Sequence, residues 1–129
     1  MERLELKLND AKASLKSLQE VLKEPCSIYI RDATIKRFEY TFDTYWKFLK
    51  ELLKIKKGLA VNSPKDCFRE IFSQGYSSEE ETEKSLDMAD DRNETVHSYK
   101  EAVAQEIYSK IKGYSELMSN VFQRVSKNL

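Results

Sequence analysis

Ten consecutive residues hold most of the chemistry this chain can offer: Asp90-Asp91-Arg92-Asn93-Glu94-Thr95-Val96-His97-Ser98-Tyr99. They include the only histidine of the chain, set between an arginine and a tyrosine. A neutral imidazole can take the proton of a ribose 2′-hydroxyl, and a guanidinium fork can stabilise charge building on the attacked phosphate. Together Arg92 and His97 would support RNA cleavage without a metal. Asn93 precedes His97 by four residues, a helical spacing from which it could orient the ring. A phenol such as Tyr99 can accept a nucleotidyl group from another enzyme. The structural alternative stays open, because a lone histidine at a helix end also caps carbonyls or fills space.

Helical geometry constrains the pair. On an ideal helix Arg92 and Tyr99 share a face, whereas His97 lies about 140° round from Arg92. Either the helix breaks between them or two copies of the segment face each other across a dimer. A two-fold axis would also supply one histidine as base and a second as acid.

Other constellations are read as structural. Lys47, Lys50, Lys54 and Lys57 form a basic stripe, either a track for a phosphate backbone or a solvated face whose last members suit the negative helix end. Asp87, Asp90 and Asp91 are expected to form salt bridges to Arg92 and its neighbours in preference to holding magnesium. A single histidine excludes a zinc site of ordinary composition. No metal and no cofactor is called for. The glycines precede Leu59, Tyr76 and Tyr114, so the Gly-Ser phosphate grip that usually opens a nucleotidyltransferase site is missing, and the chain is not itself read as that enzyme.

The elements that must position Arg92 and His97 follow from apolar periodicity. Leu4, Leu8, Ala11, Leu15, Leu18 and Leu22 make one helical stripe that stops at Pro25. A second helix from Ser27 to Gly58 carries Ile35, Phe38, Phe42, Tyr45/Trp46, Leu49 and Leu52/Leu53, an aromatic density suited to the centre of a core or an interface. Leu59 to Asn62 form a loop. Ser63-Pro64-Lys65-Asp66 opens a short helix, with serine as cap, proline in the first turn and Asp66 reaching back to the cap. Its apolar face is Cys67, Phe68, Ile71 and Phe72, and Gly75 ends it. Ser77-Ser78-Glu79-Glu80-Glu81 starts a helix carrying Leu86, Ala89 and later Val96. A final helix from about Lys100 presents Val103, Ile107, Ile111, Tyr114, Met118, Val121 and Val125, with Gly113 as a weak point inside it. The fold class is all-α: an up-and-down antiparallel bundle of about five helices, four long and one short, dimeric, with residues 1–129 as one domain.

Several of these segments resemble one bacterial and archaeal family. They are Arg31-Asp32-Ala33-Thr34-Ile35-Lys36-Arg37-Phe38-Glu39-Tyr40-Thr41-Phe42, Trp46-Lys47, Ser63-Pro64-Lys65-Asp66, Leu86-Asp87-Met88 and, most specifically, Asp91 to Tyr99. The family is that of the nucleotidyltransferase substrate-binding proteins, related to the HepT proteins of the HEPN superfamily, and the resemblance covers roughly residues 3 to 120. Family members often carry a tryptophan shortly before Leu-Asp-Met, where this chain has Glu83-Lys84-Ser85. The resemblance implies a dimerising helical bundle encoded beside a minimal nucleotidyltransferase, with which it assembles as homodimer or higher hetero-oligomer. It implies a non-catalytic substrate-binding or regulatory subunit. The alternative it carries is a metal-independent endoribonuclease toxin, with Arg92 and His97 as the catalytic pair and Asp91, Asn93 and Thr95 in support. In that alternative the partner silences the toxin by adenylylating Tyr99. RNA or a nucleotide would be the further ligand.

Composition sets the outer limits. Twenty-two basic and 22 acidic side chains cancel among 129 residues, which counts against a general nucleic-acid-coating role while leaving room for a local basic groove. Three glycines and two prolines favour long helices. The opening Met1-Glu2-Arg3-Leu4-Glu5-Leu6 has no apolar signal region, and no apolar run approaches the ~20 residues needed to span a bilayer. Cys26 and Cys67 are expected to be buried thiols in a reducing compartment. A cytoplasmic protein with no membrane partner is expected.

Overall fold

The computed structural model describes residues 2–127 and Leu129; Met1, the first residue of the opening read above, lies outside the described residues. Five α-helices follow one another: α1 (Glu2–Val21), α2 (Ile28–Lys57), α3 (Pro64–Ser73), α4 (Glu79–Glu94) and α5 (Glu101–Ser126). A single 3-10 turn, Thr95–His97, separates α4 from α5. The four long helices alternate in direction. Contacts of α1 with α2 pair opposite ends, Arg3 with Glu51 and Ser17 with Tyr40. Likewise α4 and α5 are antiparallel, with Asp91 beside Lys110 and Glu81 beside Arg124. α2 and α5 therefore run the same way, through Arg31 to Glu101, Phe38 to Tyr114 and Phe48 to Phe122.

Each boundary has a local cause. Ser27, Ser63 and Ser78 are extended N-cap residues whose hydroxyls accept from Ile30, Asp66 and Glu81 backbone N–H groups. At α4 the cap is reciprocal, since the Glu81 carboxylate accepts from the Ser78 N–H at 2.9 Å. α2 stops at Gly58, whose φ of 66° lets the chain close back on the last carbonyls: Gly58 donates to Lys54 and Leu59 to Leu53. A side chain at that φ would be strained.

The predicted stripes become one core. Phe38, Phe48, Leu49, Leu52 and Leu53 of α2 are buried against Leu4, Leu15 and Leu18 of α1 and Ile111, Met118 and Val121 of α5. Phe42 meets Phe68 edge-on at 5.9 Å between ring centroids, which seats α3 on the bundle. Buried hydroxyls are satisfied: Thr34 donates to the Ile30 carbonyl and Thr41 to the Ser14 carbonyl, the latter tying α2 to α1.

Three sequence expectations are corrected here. Cys26 is exposed beyond the end of α1, whereas Cys67 is buried beneath Trp46. Phe72 lies on the outer side of α3 at 44% exposure, because Cys67, Phe68 and Ile71 already fill that helix's inner face. The Asp66 carboxylate pairs with Arg69 and leaves the capping role to its backbone N–H, which donates to Ser63. Gly113, read as a weak point, lies within an unbroken α5.

A Cβ at Gly113 would meet nothing within 4 Å. Gly113→Ala is therefore expected to stabilise the fold by about 0.5–1 kcal/mol, read as a higher urea midpoint at unchanged slope. A lower midpoint would show that the position is crowded.

Candidate functional site

The break between Arg92 and His97 is built by Thr95. Its hydroxyl, on a buried side chain, donates to the Arg92 carbonyl at 2.7 Å and so competes for the acceptor that would continue α4. Its own N–H turns back to the Asp91 and Arg92 carbonyls. The chain then makes one tight turn, closed by Ser98 donating to Thr95, and Lys100 donates to the His97 carbonyl before α5 begins. Of the two arrangements expected, a helix break between Arg92 and His97 is present.

Arg92 points inward, toward α2. Its Nε and Nη2 donate to the two oxygens of Asp43 at 3.3 and 3.0 Å, and Nη1 donates to Thr95 Oγ1 at 3.0 Å. Glu39, one turn before Asp43, lies 3.6 Å from Nη1. The fork is thus bidentate on one carboxylate and within ion-pair reach of a second, at 23% side-chain exposure. Two negative charges already face this one positive charge.

His97 and Tyr99 point the other way. Both are exposed, Tyr99 at 77%, with their rings edge-on at 6.3 Å between centroids. Lys100 lies over the Tyr99 ring at 5.9 Å. Val96, expected on an apolar face, is 67% exposed because the helix has already ended. For the same reason the helical spacing of Asn93 and His97 is lost. Asn93 is exposed, and no hydrogen bond joins it to His97 among the described residues.

The acidic cluster pairs with lysines and a phenol, not with Arg92 as expected. Asp90 meets Lys65 at 2.7 Å and Asp91 meets Lys110 at 3.4 Å. The Tyr114 hydroxyl donates to Asp91. Burial first, and then the bond to Asp91, push the Tyr114 phenol well above the usual range. Neither Asp43 nor Tyr114 is marked by local spacing, since each meets its partner across more than 20 residues of chain.

A second feature frames the exposed segment. Arg31, buried at the start of α2, donates to Glu101 at the start of α5. That pair brings the exposed Ile28 and Tyr29 to the same end of the bundle as Tyr99. Four large side chains, Ile28, Tyr29, Val96 and Tyr99, thus stand in solvent at that end.

Comparison with known proteins gives the fold a family. The family profile described as "Nucleotidyltransferase substrate binding protein like" matches residues 6–127. The chain belongs to that family. No curated protein sequence matches it. Among solved structures, it is similar to a protein of Thermus thermophilus, with 41% identity over 88% of this chain and 97% of that one, at a TM-score of 0.85. It also resembles a chain of a mutant MntA–HpeT toxin–antitoxin, at 13% identity, 98% and 99% coverage and a TM-score of 0.80. A third similar structure is the tri-AMPylated Shewanella oneidensis HEPN toxin in complex with MNT antitoxin, at 14% identity, 96% coverage of each chain and a TM-score of 0.76. At such identities the last two establish the fold alone, an all-helical bundle. Among the described residues no helix is long and apolar enough to cross a membrane.

Removing the Arg92 fork should leave Asp43 and Glu39 as neighbouring, unneutralised carboxylates. Arg92→Ala is expected to cost about 1–3 kcal/mol in urea unfolding, with Arg92→Lys recovering only part because one ammonium cannot reproduce the fork. Equal stability of Arg92→Ala and the parent would remove Arg92 from the fold. The raised Tyr114 phenol gives a sign at high pH: the folded form holds a proton that the unfolded chain releases near pH ~10. Stability should therefore fall as pH rises above about 10, and Tyr114→Phe should flatten that fall in alkaline denaturation.

Proposed function

We propose that this chain is the non-catalytic subunit of a two-protein nucleotidyltransferase assembly, and that Tyr99 is the group it presents to the partner enzyme. The observation that carries the reading is the opposite placement of the two halves of the motif. Arg92 is turned inward and neutralised, while Tyr99 is held out at 77% exposure on a turn fixed by buried Thr95. An acceptor for another enzyme must stand clear of its own fold, and a short, hydrogen-bonded turn positions it at low entropic cost.

The chemistry asked of this chain is small. The phenolic oxygen of Tyr99 would attack the α-phosphorus of ATP, forming a Tyr–O–P bond as the bond to the pyrophosphate leaving group breaks. The phenolic proton leaves to a base, and the partner supplies the nucleotide and its metal. Ile28, Tyr29 and Val96 give that partner an apolar margin around the acceptor, the usual composition of a docking patch. The AMPylated HEPN toxin among the similar structures is in line with such a reaction on this fold.

The competing reading, a metal-independent endoribonuclease using Arg92 and His97, requires a free guanidinium. In the single subunit the charge of Arg92 is met by Asp43 and Glu39, so a phosphate would have to displace them. A homodimer that pairs two copies of the motif is the arrangement in which that reading would operate.

Two experiments test this proposal: the first tests Tyr99 as acceptor, and the second separates the non-catalytic subunit from the ribonuclease. Incubation with the partner nucleotidyltransferase, ATP and magnesium should add the mass of AMP, about 329 Da from the chemistry of the transfer, and Tyr99→Phe should abolish it. Persistence of the adduct in Tyr99→Phe would move the acceptor elsewhere. Purified protein in chelator should leave single-stranded RNA intact. Cleavage that yields 2′,3′-cyclic phosphate ends and disappears in His97→Ala would overturn the non-catalytic reading.

A further inference from the structure

The basic stripe of α2 is not a uniform solvated face. Where α1 crosses it, Arg3 and Lys7 join Lys47 and Lys50 around a cleft of about 250 Å³ whose only acidic lining residue is Glu51. Four cations and one carboxylate thus meet in a chain whose formal charge is zero.

These cations differ from the three lysines that meet acids of α4. Lys65, Lys84 and Lys110 each form ion pairs, with Asp90, with Glu80, and with Asp91 and Glu106. Among the described residues Lys7, Lys47 and Lys50 form none. Glu51 is itself buried, at 7% exposure, and its partner is Arg3 at 3.6 Å, which holds that arginine over the cleft. Lys54 continues the row one turn beyond Lys50 and is exposed. Unpaired ammonium groups this close repel one another, and an anion between them relieves the repulsion.

We propose that the cleft of Arg3, Lys7, Lys47 and Lys50 is a binding site for a phosphate chain, either the triphosphate of a nucleotide or the backbone of a single RNA strand. It lies well away from Tyr99: Lys50 is 19 residues beyond Arg31 along α2, about 28 Å at the helical rise. Binding there needs neither the partner enzyme nor a modified tyrosine, so the proposal stands or falls apart from the reading of Tyr99. The aromatic neighbour supplies a reporter. Lys50 Nζ sits 5.6 Å from the ring centroid of Trp46, the only tryptophan of the chain.

The test is a titration of the full chain, followed by Trp46 fluorescence, with ATP in chelator, with a single-stranded oligoribonucleotide, and with inorganic phosphate as control. Binding should change Trp46 emission. For the oligonucleotide, log K against log salt should have a slope of about −2, as three phosphates neutralised by the unpaired lysines require. Lys7→Glu combined with Lys47→Glu leaves both the Lys50–Trp46 contact and the Arg3–Glu51 pair in place, and should weaken binding at least tenfold with unchanged circular dichroism. A response to ATP and oligonucleotide alike assigns the site to a short phosphate chain. A response to the oligonucleotide alone assigns it to a strand backbone. No response to either, or affinity undiminished in the double variant, would overturn the site.

Discussion

The guanidinium of Arg92 donates to Asp43 on α2 and to Thr95 in the turn that follows α4. Through those bonds one side chain fixes both the place where α4 stops and the distance at which α4 lies from α2. Thr95 completes the arrangement by returning a hydrogen bond to the Arg92 carbonyl, so arginine and threonine hold each other across the break. Without the break, Val96, His97 and Tyr99 would continue round a helix, and some of them would turn against the core. With it they form a raised edge. The same residue that looks catalytic beside a histidine is therefore a structural clamp within this chain, and the exposure of Tyr99 follows from that clamp.

Much of this architecture is visible in the chain itself. Steps of three and four between apolar residues outline α1, α2 and α5, and the residues on those stripes are buried or half-buried in the structure. Serine caps mark the starts of α2, α3 and α4, because a hydroxyl in extended backbone is a local device that needs no tertiary partner. What the chain conceals is the choice among chemically equal partners. Asp43 and Glu39 take Arg92 although Asp90 and Asp91 are nearer in sequence, since α4 and α2 face each other and the adjacent acids point toward α3 and α5.

The residues misread from sequence lie at or near helix ends. Cys26, Phe72 and Val96 are apolar or small side chains at the ends of helices. Phe72, in the last turn of α3, falls outside an inner face that Cys67, Phe68 and Ile71 already fill. For Cys26 and Val96 the helix has already stopped, and periodicity says only which face a residue would occupy if it continued. The candidate site lies in such a place. Its residue types were legible in the segment from Asp91 to Tyr99, but the division into an inward arginine and an outward tyrosine depends on a threonine hydroxyl and on an aspartate 49 residues away.

The zero net charge of the chain conceals a lateral separation. α4 carries eight carboxylates against Lys84 and Arg92, while α2 carries eight cations against Asp32, Glu39, Asp43 and Glu51. The clamp that joins these helices runs against the majority sign of each, an arginine from the acidic helix on acids of the basic one. The bundle is consequently a transverse electric dipole, with one long helix negative and its neighbour positive. Such a molecule, with no net charge, is turned by a field and drawn only by the field's gradient, so an approaching charged surface would rotate it before attracting it. Orientation on encounter, and with it which edge of the bundle arrives first, is then set by ionic strength through the reach of that dipole.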